Sequence, residues 1–184
     1  AVLFESSSIG AGGVVVQSVL GPDSSMAAGE CHHSLLGPFV GFHHTSLLIA
    51  TIWPFGRGNL GFGAMCGANH TGRSNDQECI AGEGCFFGLS SAIKFPFNCL
   101  AAPYTIFAAG VTCLPQKIEF PFSLVMPLEA TEIAVSPAFN QLKPGWILWG
   151  NNYFLEKSML KFASRRCSKE YNTDHPIYRP GIIE

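Results

Sequence analysis

A six-residue beat runs through the first two thirds of this chain and narrows its possible folds more than any other feature. Ser18–Asp23 reads SVLGPD, and Ser34–Phe39 reads SLLGPF 16 residues later. Around them lie ten units that open on an apolar residue and carry a small or compact one at the fifth place. They begin at Ile9, Leu20, Met26, Leu36, Phe42, Leu48, Leu60, Cys66, Ile80 and Phe86, several of them in unbroken tandem. Glycine and proline fall too often here for amphipathic helices. A short period repeated in tandem is the mark of a solenoid, in which each unit buries its apolar face against the next. The beat is uneven at two places. His32 to Leu35 is a short unit, and Thr71 to Cys79 carries extra residues.

The repeat resembles the hexapeptide-repeat superfamily, whose fold is a left-handed parallel β-helix. The resemblance covers about residues 5 to 135. It implies an all-β solenoid in which three hexads make one triangular coil. The first residue of each hexad points into the prism and the fifth packs near a corner, where bulk is excluded. Glycine and short polar residues take the turns.

Two segments are expected: a β-helix over residues 1–135 and a distinct C-terminal part over 136–184. In the second part, Lys143-Pro144-Gly145 reads as a helix start. Trp146, Ile147, Trp149, Tyr153, Phe154, Leu155, Met159, Leu160 and Phe162 then recur near helical spacing. Lys157, Lys161, Arg165, Arg166 and Lys169 gather towards its end, where cations suit the helix dipole. This basic cluster reads as a solvated face. The helix is expected to pack on or cap the β-helix, hiding unpaired strand edges that would template aggregation. The tail from Tyr171 reads as an irregular strap.

Composition excludes several classes of function. Charged residues are 13 % of the chain, against about 25 % in an average domain. The net charge is −2 and the isoelectric point about 6.3, so there is no electrostatic case for nucleic acid. No apolar run approaches the ~20 residues of a membrane span; the run from Ser46 to Trp53 is ended by Pro54. A basic segment followed by an apolar one is also lacking, so a cytoplasmic location is expected. The chain opens without Met on residues that already fit the scaffold, which suggests a piece of a longer protein. The seven cysteines form no Cys-x-x-Cys pair and read as buried, reduced thiols.

The stretch Cys66–Gly88, CGANHTGRSNDQECIAGEGCFFG, concentrates the polar chemistry of the chain. Its extra residues must leave the prism as a loop. His70 is the candidate general base, oriented by Asp76 or Glu78. Asn69, Thr71, Arg73 and Gln77 are candidate ligand contacts, with Arg73 suited to a phosphate or carboxylate. Gly72, Gly82 and Gly84 would let a ligand approach the backbone. His43 and His44 are alternative bases.

The superfamily resemblance implies CoA-dependent acyl transfer to a sugar or sugar nucleotide, with acetyl-CoA or another acyl-CoA as donor. It also implies a homo-oligomer, usually a trimer, or packing against a missing N-terminal domain. The zinc-dependent branch pairs histidines five residues apart. Here His32-His33 and His43-His44 are 11 apart, so no metal is expected. A narrower resemblance, to large uncharacterised hexapeptide-repeat proteins of bacteria and protists, rests on NHTGR…DQE…GEGCFFGL and the IKFP that follows. It implies no reaction. The other reading of the chain is a non-catalytic scaffold that uses the 69–78 loop as an interface.

Overall fold

The computed structural model describes residues 1–67, 78–128 and 139–183. Among the described residues the strands form three sheets, of seven, eight and six strands, wound as a parallel β-solenoid of about six turns. The chain visits the sheets in rotation. Sheet 1 runs from Val2–Leu3 to Gln116–Lys117, sheet 2 from Ser8–Ile9 to Leu124–Pro127, and sheet 3 from Val14–Val16 to Thr112–Cys113. Most strands are two residues long, so each side of the prism contributes one inward and one outward side chain. The three inward rows meet in a single apolar column from Leu20 to Val125.

The hexad reading predicts the inward row well before the loop. Leu20, Met26, Leu36, Phe42, Leu48, Leu60 and Cys66 are all buried, as are the fifth-place residues Ser24, Val40, Ser46 and Ala64. The coils are nevertheless not three equal hexads. Paired rungs Val19, Leu35 and Ile52 lie 16 and 17 residues apart. The corner between sheets 3 and 1 is short in both, with inward positions such as Cys31 and Leu36 five apart, and the 16-residue coil is short again between sheets 2 and 3, from Met26 to Cys31. Hydroxyls tighten the corner between sheets 3 and 1. The Ser34 amide donates to Ser18 Oγ at 3.0 Å and the Thr51 amide to Ser34 Oγ at 3.0 Å, so side chains take the place of backbone acceptors.

After the loop, the register differs by one residue from the hexad reading. Phe87, not Phe86, points inward, stacked between Leu60 and Phe107 with the Phe107 ring at 4.8 Å. Ile80 is half-buried and faces outward, between the fully buried Cys79 and Ala81. Strand side chains alternate, so a slip of one residue exchanges the two faces. Two adjacent phenylalanines give the sequence no means of choosing between them.

Asn140–Lys143 closes the last rung of sheet 2 by pairing antiparallel with Leu124–Pro127. Two helices follow, α1 (Trp146–Gly150) and α2 (Asn152–Arg165). The terminal edge is therefore met by a strand, and α2 lies elsewhere. It follows α1, which sits at the last coil, where the Ile147 amide donates to Phe122 O at 2.9 Å. It ends near the second, where Asp23 receives the Cys167 amide at 2.8 Å. Fourteen residues of helix rise about 21 Å, or just over four rungs at ~4.8 Å each. The helix thus runs back along the side of the prism, over the outer face of sheet 2. No helix among the described residues is long and apolar enough to cross a membrane.

Candidate functional site

The outer face of sheet 2 carries the ladder Ser8, Ser25, Gly41, Asn59, Phe86, Ile106. Its first four positions are small or polar and its last two apolar. Between this face and α2 lies a groove of about 630 Å³. Its roof is one stripe of the helix, namely Phe154, Lys157, Ser158, Lys161 and Arg165. These residues recur three or four apart and so share a face. Lys157 also reaches the Tyr153 ring, at 5.3 Å.

The roof is pinned on both sides of the opening. Towards the last coil, Ile147 and Leu155 pack with Tyr104, Phe122, Ile177 and Ile182 in a second apolar cluster. In the middle, Phe162 meets the Phe39 ring edge-on at 5.1 Å, and the Arg57 guanidinium covers its face at 3.8 Å. Towards the first coils, two carboxylates receive backbone amides. Asp23 accepts from Cys167, Ser168 and the Ser168 hydroxyl, and Glu5 accepts from Lys169 and Glu170.

Behind the groove sits a buried charge cluster. Glu83 is 3 % exposed and takes the Tyr104 hydroxyl at 2.7 Å, Arg57 at 3.4 Å and Arg179 in a close ion pair. Arg57 also donates to His175 O at 2.6 Å, and so ties the terminal strap to the coils. Burial and the adjacent Glu83 carboxylate push the Tyr104 hydroxyl far above its ordinary range, which keeps it a donor to Glu83.

Of the residues singled out in the sequence, Asn69, His70, Thr71, Gly72, Arg73, Asp76 and Gln77 lie outside the described residues. The ladder on either side of them carries extra residues: Ile80 pairs with Ile52, 28 residues earlier, against spacings of 16 to 19 elsewhere in sheet 1. The insertion leaves from the corner between sheets 3 and 1. Exposed Glu78 stands there, its carbonyl accepting from the Phe97 amide. The groove covers sheet 2, the side opposite that corner.

Gly82 and Gly84 are buried, and the next coil fills the space beside each. A Cβ on Gly82 would lie 2.5 Å from Cys99 O, and one on Gly84 2.3 Å from the Tyr104 ring. Gly84 also has φ +65° and contributes backbone to the groove wall. His43 and His44 lie at a corner with rings 6.2 Å apart, and His32 pairs with Glu30 at 3.0 Å.

Sequence reasoning missed Asn59, Arg57 and Glu83; it read Lys157, Lys161 and Arg165 as a solvated face, and all three are exposed, while they also border the groove. The four-residue spacing of those three cations was legible. The sheet beneath them was not.

No family model matches the chain. It is 30 % identical over 163 residues to an uncharacterized protein of Treponema pallidum (strain Nichols), an alignment covering 87 % of this chain and 21 % of that protein. The chain thus spans about a fifth of the length of this curated relative. What fold and comparison establish together is a β-helix solenoid that fits the hexapeptide-repeat pattern, similar to part of a much longer protein.

Proposed function

We propose that this chain is the small-molecule-binding part of a transferase-type hexapeptide-repeat protein, with the groove under α2 as its ligand site. The observation that carries the reading is the roof itself. A helix anchored along its length yet held off the sheet leaves a preformed cleft with polar and apolar ends, the usual form of a small-molecule site.

The acyl-transfer form of this reading uses an acyl-CoA donor and a sugar or sugar-nucleotide acceptor. His70, oriented by Asp76 or Glu78, takes the proton from the acceptor hydroxyl as its oxygen bonds to the thioester carbon. The C–S bond then breaks and the proton passes to the CoA sulfur. If His70→Ala leaves turnover of a confirmed substrate intact, the base assignment is wrong.

Gly41 offers a direct test of the groove. Its outward side meets only Asn59 Oδ1, at 3.4 Å, so Gly41→Phe should fill the cleft without disturbing the coil. Ligands that raise the melting temperature of the native chain by mass action should lose that effect in Gly41→Phe. Undiminished shifts in the variant would remove the groove from consideration.

One observation favours assembly as a second reading. Sheet 1 turns an unbroken apolar ladder outward, Val2, Val19, Leu35, Ile52 and Ile80, next to the corner that bears the insertion. Leu35 is 53 % exposed. In that reading this face and the 69–78 loop pack against another copy, and Leu35→Glu should lower the mass seen by sedimentation equilibrium. A monomeric parent chain would dismiss it.

A further inference from the structure

We infer that the groove takes an apolar monocarboxylic acid, whose carboxylate is held by Arg57. The inference rests on the groove being the ligand site and is independent of the transfer reaction.

Arg57 belongs to a column of corner residues. Asp23, Phe39, Arg57, Gly84, Tyr104 and Phe122 follow one another along the corner between sheets 1 and 2, each with φ between 54° and 65°. Each amide donates to the coil before, Phe39 to Pro22 O, Arg57 to Pro38 O, Gly84 to Gly56 O and Tyr104 to Glu83 O. Gly84 interrupts the row of side chains. The Tyr104 ring leans into the gap, where a Cβ would lie 2.3 Å from it, and so brings its hydroxyl to Glu83. Glu83 draws in Arg57 from the coil before, at 3.4 Å.

The guanidinium is thereby fixed without being used up. The Phe162 ring lies under it at 3.8 Å. Nη1 alone makes the hydrogen bonds, to Glu83 and to His175 O. Nε and Nη2 have no protein partner among the described residues. The side chain is only 7 % exposed and lines the groove, yet neither nitrogen is closed off. A guanidinium presents its donors as a planar fork that matches the two oxygens of a carboxylate. In so dry a place a donor left unmatched is costly, and a ligand that matches it recovers that cost.

Charge selects an anion of charge one. Arg57 and Arg179 share the carboxylate of Glu83, which leaves one positive charge unbalanced. Asp23 lines the same groove, but its oxygens are taken by the Cys167 and Ser168 amides and the Ser168 hydroxyl. No other described carboxylate reaches Arg57. A carboxylate supplies the single missing charge, whereas a phosphate monoester brings about −1.5 to −2 at pH 7. Lys157, Lys161 and Arg165 are exposed and can stay in water, Lys157 against the Tyr153 ring. Arg57 cannot.

The surroundings of Arg57 make the rest of the ligand apolar. Asn59 stands two residues on, with a side-chain amide that has no protein partner among the described residues and can donate to the same carboxylate. On the next two rungs the floor turns to Phe86 and Ile106, and Phe154 faces them from the roof. Two rungs span about 10 Å. A ring or chain of that length would leave water against three apolar side chains, a gain that grows with the area buried.

Isothermal titration of the full chain with octanoate, phenylpropionate, octanol, phenylpropanol, acetate and phenyl phosphate tests this. Each longer acid should bind at least about tenfold more tightly than its own alcohol, the worth of a charge-assisted contact, and more tightly than acetate. That comparison needs no variant. A preference for octanoate or for phenylpropionate identifies the body as chain or ring. Arg57→Lys keeps a cation beside Glu83 but loses the fork, and should weaken the acids by about tenfold while leaving the alcohols unchanged. Acids and alcohols bound alike would overturn the role of Arg57, as would acid affinity unchanged in Arg57→Lys. Acetate bound as tightly as octanoate would overturn the apolar body. Phenyl phosphate bound more tightly than phenylpropionate would overturn the single charge. Binding of none of the acids would overturn the inference, and the groove would still stand if any other ligand binds and is blocked by Gly41→Phe. Acid binding unaffected by Gly41→Phe would overturn both.

Discussion

At the scale of single residues, Glu83 joins parts of the molecule that the chain separates widely. It lies in the turn that follows Ile80, and its carboxylate collects Arg57 from the fourth coil, Tyr104 from the sixth and Arg179 from the tail. Removing one partner of a buried ion pair costs about 3–5 kcal/mol, because the remaining charge stays buried. Glu83→Gln leaves two guanidiniums without their anion, so a loss of that size is expected in urea unfolding. A change of under 1 kcal/mol would mean that the cluster contributes little. Cysteine chemistry divides just as sharply. Cys167 is exposed, whereas Cys31, Cys66, Cys79, Cys85, Cys99 and Cys113 are buried. Native protein at pH 8 should consume one equivalent of a thiol reagent quickly, at Cys167, and the rest only on unfolding. Rapid reaction of a second thiol would show that the coil column opens.

At the scale of elements, α2 and the strap are a removable wall on a self-supporting core. The coils are held by ladders and a continuous apolar column, the wall by Phe162, Leu155, Ile147 and a few carboxylate–amide contacts. Phe162→Ala deletes a buried ring that packs on Phe39 and carries Arg57. Such truncations cost about 3–5 kcal/mol in a closed core. Because the wall can detach alone, that loss should appear locally. Trypsin should cut at Lys157, Lys161, Arg165, Arg166 or Lys169 faster in this variant, while the described coils resist. Simultaneous loss of the whole chain would mean that wall and coils form one cooperative unit. The same architecture explains the groove, since an anchor at each end and one in the middle hold the helix without filling the space under its cationic stripe.

For the whole molecule, the column of thiols predicts a response to alkali. Burial raises Cys85, and pushes Cys113 up to about 12. The adjoining Cys66 thiol, together with burial, raises Cys79. Unfolded thiols ionise near pH 8.5, while the folded ones stay protonated. Above that pH the folded state therefore binds more protons, and stability falls as pH rises from about 8.5 towards 12. Each such thiol contributes up to about 1.4 kcal/mol per pH unit in that window. Denaturation midpoints should be flat below pH 8 and drop above pH 9, and Cys85→Ala should flatten the drop while lowering stability at pH 7. A pH-independent midpoint up to pH 11 would contradict the buried, neutral thiols.

The hexad beat determined that the chain winds as a solenoid, most of the residues that fill its interior up to Cys66, and that extra residues break the winding before Cys79; the three sides came from the resemblance to the hexapeptide repeat. It could do so because each coil repeats one local constraint: a large apolar residue inward and a small one at the corner. The helix, its cationic row and the strap were legible for the same reason, since 3.6-residue spacing is local. The tertiary structure decided what local pattern does not encode. It chose Phe87 over Phe86 for the interior, because only the stack with Leu60 and Phe107 separates two identical neighbours. It closed Gly82 and Gly84 against the next coil, and it brought Glu83 to Arg57 and Arg179. Above all, it laid α2 across sheet 2 instead of over the end of the prism. Contacts between residues more than a hundred positions apart, Asp23 with Ser168 and Arg57 with His175, hold it there. A groove is a relation between two surfaces, and only the packing of one on the other creates it.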